Sequence, residues 1–277
     1  MILMDGKALS QKILTEMAQT IENLASKPGL TVILVGNDPA SAVYVRNKHQ
    51  ACEKVGIQSD VITLPDTTTQ VELIEVIEKL NRDSKVHGIL VQLPLPELID
   101  TEEVLSYIAV EKDVDGFHTL NAGRLFRGLP ALVPCTPKGV MRMLTEYEVP
   151  IKGANAVVIG RSNIVGKPMA QLLLDKDATV TICHRNTQNM HEICRKADIL
   201  VAAVGRPNFV KADWIKPGAC VVDVGINRLP NGKLCGDVDF EAAVKVANWI
   251  TPVPGGVGPM TIAMLLENTF EAYLHLG

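Results

Sequence analysis

The sequence predicts an α/β protein of two domains, each built on a parallel sheet. Three observations carry this reading. Short β-branched runs alternate with longer helical stretches, the alternation lapses between Asp113 and Pro134, and it then starts afresh. Leu30–Val35 reads as a buried strand, followed by an amphipathic helix from about Pro39 to Val55. Asp60–Leu64 is a strand, and Thr69–Arg82 a helix with Val71, Ile74, Ile77 and Leu80 spaced along one face. Gly88–Gln92 is the next strand. Asp100–Tyr107 is a short helix that Asp100 and Glu103 are expected to cap reciprocally.

The lapse contains Gly116, Gly123, Gly128 and Pro130, and ends where Thr136-Pro137 opens a new helix with threonine at the N-cap and proline first in the helix. The expected domains are therefore 1–118, a three-layer α/β domain completed by about 257–277, and 119–256. The second domain repeats the alternation with strand Ala156–Gly160, helix Lys167–Leu174, strand Thr179–His184 and helix Asn189–Lys196. Strands Ile199–Val204 and Cys220–Gly225 follow. A last helix, about Pro259 to Leu274, comes after the second sheet is complete and is expected to cross back to the first domain.

Composition narrows the function. The chain has 277 residues, a net charge of −4, 47% hydrophobic and 21% charged residues, with a pI near 5.9. That balance argues against nucleic acid or an anionic membrane as the main partner. No stretch approaches the roughly eighteen apolar residues of a membrane span, and Met1–Ser10 lacks the apolar run of a signal peptide. The six cysteines, at 52, 135, 183, 194, 220 and 235, form no C-x-x-C pair. They read as reduced core thiols of a cytoplasmic protein, with no metal site expected.

Gly160-Arg161-Ser162-Asn163-Ile164-Val165-Gly166-Lys167-Pro168 lies after an apolar strand and before a helix. This is the place of a Rossmann fingerprint, where a helix N-terminus accepts phosphate through backbone N–H groups. Ser162 stands where the second glycine of that fingerprint would be, so the loop taken alone is a weak signal. The end of the next strand, Cys183-His184-Arg185-Asn186, carries no carboxylate for ribose hydroxyls; Arg185 and Arg161 together suit a ribose phosphate, favouring NADP over NAD.

Tyr44 and Lys48 fall four apart on one helical face, a flat aromatic beside an ammonium. Gln92 ends a strand before the proline-stiffened Leu93-Pro94-Leu95-Pro96. Lys112-Asp113-Val114-Asp115-Gly116-Phe117 packs two carboxylates at a turn. One of these suits turn formation and the other an amino-substituted ring. Pro252-Val253-Pro254-Gly255-Gly256-Val257-Gly258-Pro259-Met260-Thr261 offers bare backbone for close approach to a ligand, or serves a crowded chain crossing.

In order along the chain, Tyr44-x-x-x-Lys48, Gln92-Leu-Pro-Leu-Pro, Lys112-Asp-Val-Asp115-Gly-Phe, Pro134-Cys-Thr-Pro, Gly160-Arg-Ser-x-x-Val-Gly-x-Pro and Pro252-Val-Pro-Gly-Gly-Val-Gly-Pro-Met-Thr resemble the methylenetetrahydrofolate dehydrogenase/cyclohydrolase family. The resemblance implies oxidation of methylenetetrahydrofolate by NADP and hydrolysis of the methenyl product to 10-formyltetrahydrofolate, within one-carbon metabolism and purine biosynthesis. It implies Lys48 as the catalytic lysine and general base, Tyr44 stacking on the folate, Gln92 holding Lys48, and Asp115 anchoring the pterin. Gly255, Gly256 and Pro259 would contact substrate. Gly160, Arg161, Ser162 and Ile226 would bind NADP, with Arg185 taking a phosphate-binding role at a position where many members carry serine. A homodimer is implied as well. The alternatives are a monofunctional dehydrogenase and an NADP oxidoreductase similar to shikimate dehydrogenase.

Overall fold

The structure, a computed structural model, describes residues 1–276, with the side chains of Pro39 and Ala40 outside the description. The chain runs β1 (Ile2–Leu3), α1 (Gly6–Glu22), β2 (Gly29–Val35), α2 (Pro39–Val55), β3 (Gln58–Leu64), α3 (Gln70–Arg82), β4 (Gly88–Val91) and α4 (Thr101–Ser106). Next come α5 (Thr119–Phe126), α6 (Cys135–Glu146), β5 (Asn155–Ile159), α7 (Gly166–Leu174), β6 (Thr179–Cys183), α8 (Met190–Cys194) and β7 (Ile199–Ala202). It ends with β8 (Cys220–Asp223), β9 (Asn227–Arg228), β10 (Leu234–Cys235), α9 (Phe240–Ala243), β11 (Trp249–Ile250) and α10 (Val257–Leu276).

Two compact units form, Gln11–Cys135 with Ile262–Gly277, and Met1–Ser10 with Thr136–Thr261. These bounds differ from the expected 1–118 and 119–256. Residues 1–10 go with the second unit because β1 adds to its sheet, pairing Ile2 with Trp249 and Leu3 with Ile250. Residues 119–135 stay with the first, where the sequence loosens but α5 still forms.

The first unit holds three parallel strands in the order β3-β2-β4, with Val32 opposite Val61 and Leu90. β2 is buried along its whole length, as a strand covered on both faces must be. Its alternate residues Ile33 and Val35 join Leu73 and Ile77 of α3 and Val104 and Leu105 of α4 in one core. Leu73 and Ile77 are fully buried, each worth about 2 kcal/mol in transfer terms. Thr69 and Glu72 start α3 with a capping box. The reciprocal cap expected at Asp100 is only half formed. Asp100 accepts from Glu103 N at 3.0 Å, but its own backbone N–H goes to Gln70 Oε1 at 2.8 Å, which takes the bond Glu103 would have made.

The second unit is a six-stranded parallel sheet, β1-β11-β8-β7-β5-β6, beside a small antiparallel pair, β10-β9. Val157, Ile159, Leu200, Ala202, Val221 and Ile250 from four of its strands share one core. Helix α6 begins at Cys135, a residue before the expected Thr136 cap; the Thr136 hydroxyl lies 2.9 Å from that of Thr261. Five cysteines are buried and Cys235 is half-buried, all as free thiols.

Candidate active site and nucleotide site

In the first unit, β3 and β4 lie on opposite sides of β2. Right-handed crossovers then send the two connecting helices to opposite faces, which opens a crevice at the carboxyl ends of β2 and β4. Gln92 stands there, its backbone N–H still bonded to Ile33 O at 2.8 Å. Its side-chain Nε2 donates to Leu93 O at 2.7 Å, which turns Oε1 toward Lys48, whose Nζ donates to it at 3.1 Å. Lys48 is half-buried on α2, while Tyr44, one turn earlier on the same helix, is 43% exposed. Asp115 joins them. Burial raises its carboxyl above the usual range, the Lys48 charge opposes that rise, and the Cys135 thiol lies 3.9 Å from Oδ1.

The structure also resolves which of the paired carboxylates forms the turn. Asp113 is buried and accepts from Phe117 N at 3.1 Å, His118 N at 2.9 Å and Asn121 Nδ2 at 2.9 Å. Burial pushes it up to about 7 against those three donors. Asp115 is left to face Lys48.

Two residues hold this segment in ways the sequence reading did not assign, Lys112, quoted there without a role, and Asn268. Lys112 is buried and donates to the carbonyls of Leu80, Asn81 and Asp83 at 3.1, 2.9 and 2.8 Å, closing the C-terminus of α3; burial lowers its ammonium from the usual range. Asn268 of α10 donates to Val114 O at 2.8 Å and Val133 O at 2.9 Å. Asn268 and its neighbour Thr269 are both buried within α10.

In the second unit β6 and β7 flank β5, so the corresponding crevice opens at the carboxyl ends of β5 and β7. Gly160 leaves β5 with φ +133°, and a Cβ there would collide with Ala203 O; one on Gly166 would collide with Gly160 O. Both glycines are thus required by the approach of α7 to the turn. The Ser162 hydroxyl accepts from Val165 N at 3.1 Å and Gly166 N at 3.3 Å, which braces the turn leading into α7. Arg161 and Arg185 are exposed. Arg185 sits in a turn closed by Thr187 N to His184 O at 2.7 Å and His184 N to the Thr187 hydroxyl at 2.8 Å. Ile226 is 45% exposed, and a Cβ on Gly258 would lie 3.3 Å from its Cδ1. Two exposed guanidiniums beside this turn suit a phosphorylated dinucleotide.

The loop entering α10 has a second use for its glycines. Gly255 O accepts from Lys7 N at 2.8 Å, and Gly6 and Gly256 approach so closely that a Cβ on Gly6 would collide with Gly256 O. A Cβ on Gly256 itself would collide with Pro252 O, so crowding within the loop requires glycine there. Pro259 is half-buried in the first turn of α10.

Residues 4–115 match the family model of the tetrahydrofolate dehydrogenase/cyclohydrolase catalytic domain, and 134–276 that of its NAD(P)-binding domain. The chain belongs to the tetrahydrofolate dehydrogenase/cyclohydrolase family. It is 58% identical over 276 residues to the bifunctional protein FolD of Streptococcus pneumoniae, covering 98% of this chain and 97% of that one. Its structure resembles the crystal structure of the bifunctional dehydrogenase/cyclohydrolase FolD from Campylobacter jejuni, with a TM-score of 0.98 and 52% identity over 99% of both chains. It also resembles the Trypanosoma brucei dehydrogenase-cyclohydrolase complexed with NADP cofactor and inhibitor, with a TM-score of 0.94 and 40% identity over 99% and 97% of the two chains. Membership removes the alternative similar to shikimate dehydrogenase. Among the described residues no helix is long and apolar enough to cross a membrane, and no group of His, Cys, Asp or Glu side chains could hold a metal ion.

Proposed function

We propose that this chain oxidises methylenetetrahydrofolate with NADP and hydrolyses the methenyl product to 10-formyltetrahydrofolate, acting in the cytoplasm as a homodimer. The observation that carries the bifunctional reading is the Lys48–Gln92 contact at 3.1 Å beside the half-buried Asp115.

Hydrolysis is the step that needs side-chain chemistry. Water adds to the cationic one-carbon bridge, a proton leaves that water, and a proton reaches the ring nitrogen as its C–N bond opens. Lys48 is the one amine of the cluster and is assigned this proton traffic. Gln92 fixes the direction of its Nζ, and Asp115 anchors the amino-substituted ring through charge-assisted bonds. Tyr44 offers a face for stacking on the planar ring. Gly160, Arg161, Ser162, Arg185 and Ile226 are assigned to NADP, which when bound supplies the hydride acceptor for the oxidation. Arg161 and Arg185 would hold its phosphates, and Gly160 and Ser162 shape the turn between β5 and α7.

An absorbance assay with methylenetetrahydrofolate and NADP tests the reading by following NADPH and the methenyl product separately. NADPH should appear with little methenyl accumulation, and Lys48→Met should lose hydrolysis. A folded protein that makes no NADPH overturns the function; a Lys48→Met variant with full hydrolysis overturns the role of Lys48.

A further inference from the structure

Beneath the nucleotide crevice of the second unit lie two carboxylates that the reading above leaves unused. Asp237 and Asp223 are 0% and 3% exposed. Asp237 lies between the β9–β10 pair and α9, and its Oδ2 accepts from Val204 N at 2.6 Å and Gly205 N at 2.9 Å. Its Oδ1 accepts from Arg206 N at 2.8 Å and Asn227 Nδ2 at 2.9 Å. Asp223 ends β8, and its Oδ1 accepts from Gly225 N at 3.0 Å and Asp237 N at 2.8 Å, its Oδ2 from Val238 N at 2.8 Å. The Thr251 hydroxyl in turn accepts from Asp223 N at 2.8 Å.

The loops so held are the ones that matter for a dinucleotide. Residues 203–206 follow β7 directly, and Ala203 is the residue whose backbone Gly160 approaches. They form one wall of the crevice at the switch in strand order. Gly225 and Asn227, both tied to this pair, flank Ile226. The chain also makes room for the carboxylates, because a Cβ on Gly225 would collide with Asp237 Oδ1 and one on Gly236 with Asp223 Oδ2. Burying two adjacent carboxylates is costly, and burial together with the Asp237 charge pushes Asp223 up to about 6 despite its backbone donors. A fold that needed only a filled core would use apolar side chains there.

We propose that Asp237, braced by Asp223, is a positioning residue for the dinucleotide. It fixes the 204–206 backbone and the peptide bearing Ile226 in one arrangement, so that the crevice is preformed before NADP arrives. The proposal rests on the NADP reading above. Asp237→Asn keeps the shape but turns an N–H₂ toward backbone N–H groups, so the two loops lose their common anchor.

The test is calorimetric titration of the purified protein with NADP, alongside hydrolysis of methenyltetrahydrofolate in the absence of NADP. Asp237→Asn should weaken NADP binding about tenfold, the worth of one charge-assisted hydrogen bond, while cofactor-free hydrolysis falls less than about twofold, as expected for a separate unit left folded. NADP affinity within about twofold of the parent protein overturns the proposal, and so does a parallel loss of both readouts, which marks a purely structural role. If Asp237→Asn does not fold, Asn227→Ala decides between the same outcomes, since it removes only the side-chain tie to the Ile226 peptide. A parent protein that does not bind NADP overturns the cofactor reading itself.

Discussion

The two units solve the same problem with the same topology and opposite means. Each opens a crevice where a central strand is flanked by its two successors, β2 by β3 and β4, β5 by β6 and β7. In the first unit the crevice is furnished with side chains that partner one another: Lys48 on Gln92, with Asp115 beside them. In the second the polar investment is buried, and Asp223 and Asp237 spend their oxygens almost entirely on backbone N–H groups. Charge at the first edge is half-exposed, where the proposed proton transfer would use it. At the second it is sealed and holds backbone in place. Parallel-sheet edges thus serve chemistry or shape according to whether their ionisable groups face the crevice or the chain.

The largest test of this contrast is at Lys48. Removing the amine in Lys48→Met should cut hydrolysis at least about a hundredfold, the usual range for general acid–base groups, with the urea unfolding midpoint unchanged because the residue is half-buried and bonded only through its tip. Stopped-flow absorbance of methenyltetrahydrofolate decay measures it. An intact rate would place the chemistry elsewhere.

Asp113 and Asp115 repeat the contrast two residues apart. Asp113→Asn should destabilise the protein by about 2 kcal/mol, because the amide cannot accept from Phe117, His118 and Asn121 together. Asp115→Asn should leave urea unfolding within about 0.5 kcal/mol and raise KM for the folate instead. Equal effects on stability would mean that both carboxylates serve the turn. At the nucleotide edge, Arg185→Ser should raise KM for NADP by about tenfold, one charge-assisted contact, with KM for NAD unmoved. A parallel rise for both dinucleotides would remove the phosphate assignment.

How much of this was legible in sequence follows from locality. The helix from Pro39 to Val55, with Tyr44 and Lys48 one turn apart, is set by local periodicity and stands as read. The Gly160–Gly166 turn was equally visible, since strand, glycine and helix are contiguous. Features made by distant partners were not. β1 is two residues whose ladder partner among the described residues is β11, about the whole chain away, so nothing near Ile2 announces a strand. Asp223 fell inside the expected strand Cys220–Gly225 and Asp237 drew no reading, and only the fold reveals that Asp237 takes its backbone donors from the loop after β7. Helix α5 was hidden by Gly123, which faces open space and so costs the helix only its propensity. At Gly256 the sequence could not separate a ligand contact from crowding, and the fold supplies crowding, since a Cβ there would collide with Pro252 O.

The smallest expected effect concerns a group that serves shape within the chemical unit. His87 is buried at the foot of the first sheet, where its Nδ1 accepts from Gly29 N at 3.0 Å and its ring packs edge-on against Tyr273 at 4.9 Å. Burial, with the Lys112 charge adding to it, lowers its pKa below the ordinary 6.5. The folded state therefore prefers the neutral ring, because protonated Nδ1 would become a donor facing another donor. A histidine depressed in this way contributes stability that is present above the unfolded pKa and is lost as pH falls through the folded one. The urea midpoint should decline between pH 7 and pH 5. His87→Leu, which leaves Gly29 N unpaired at a cost of about 1–2 kcal/mol, should lower the midpoint at pH 7 and flatten the decline. A variant that keeps the full pH dependence would place the acid sensitivity in another group and leave His87 with a packing role alone.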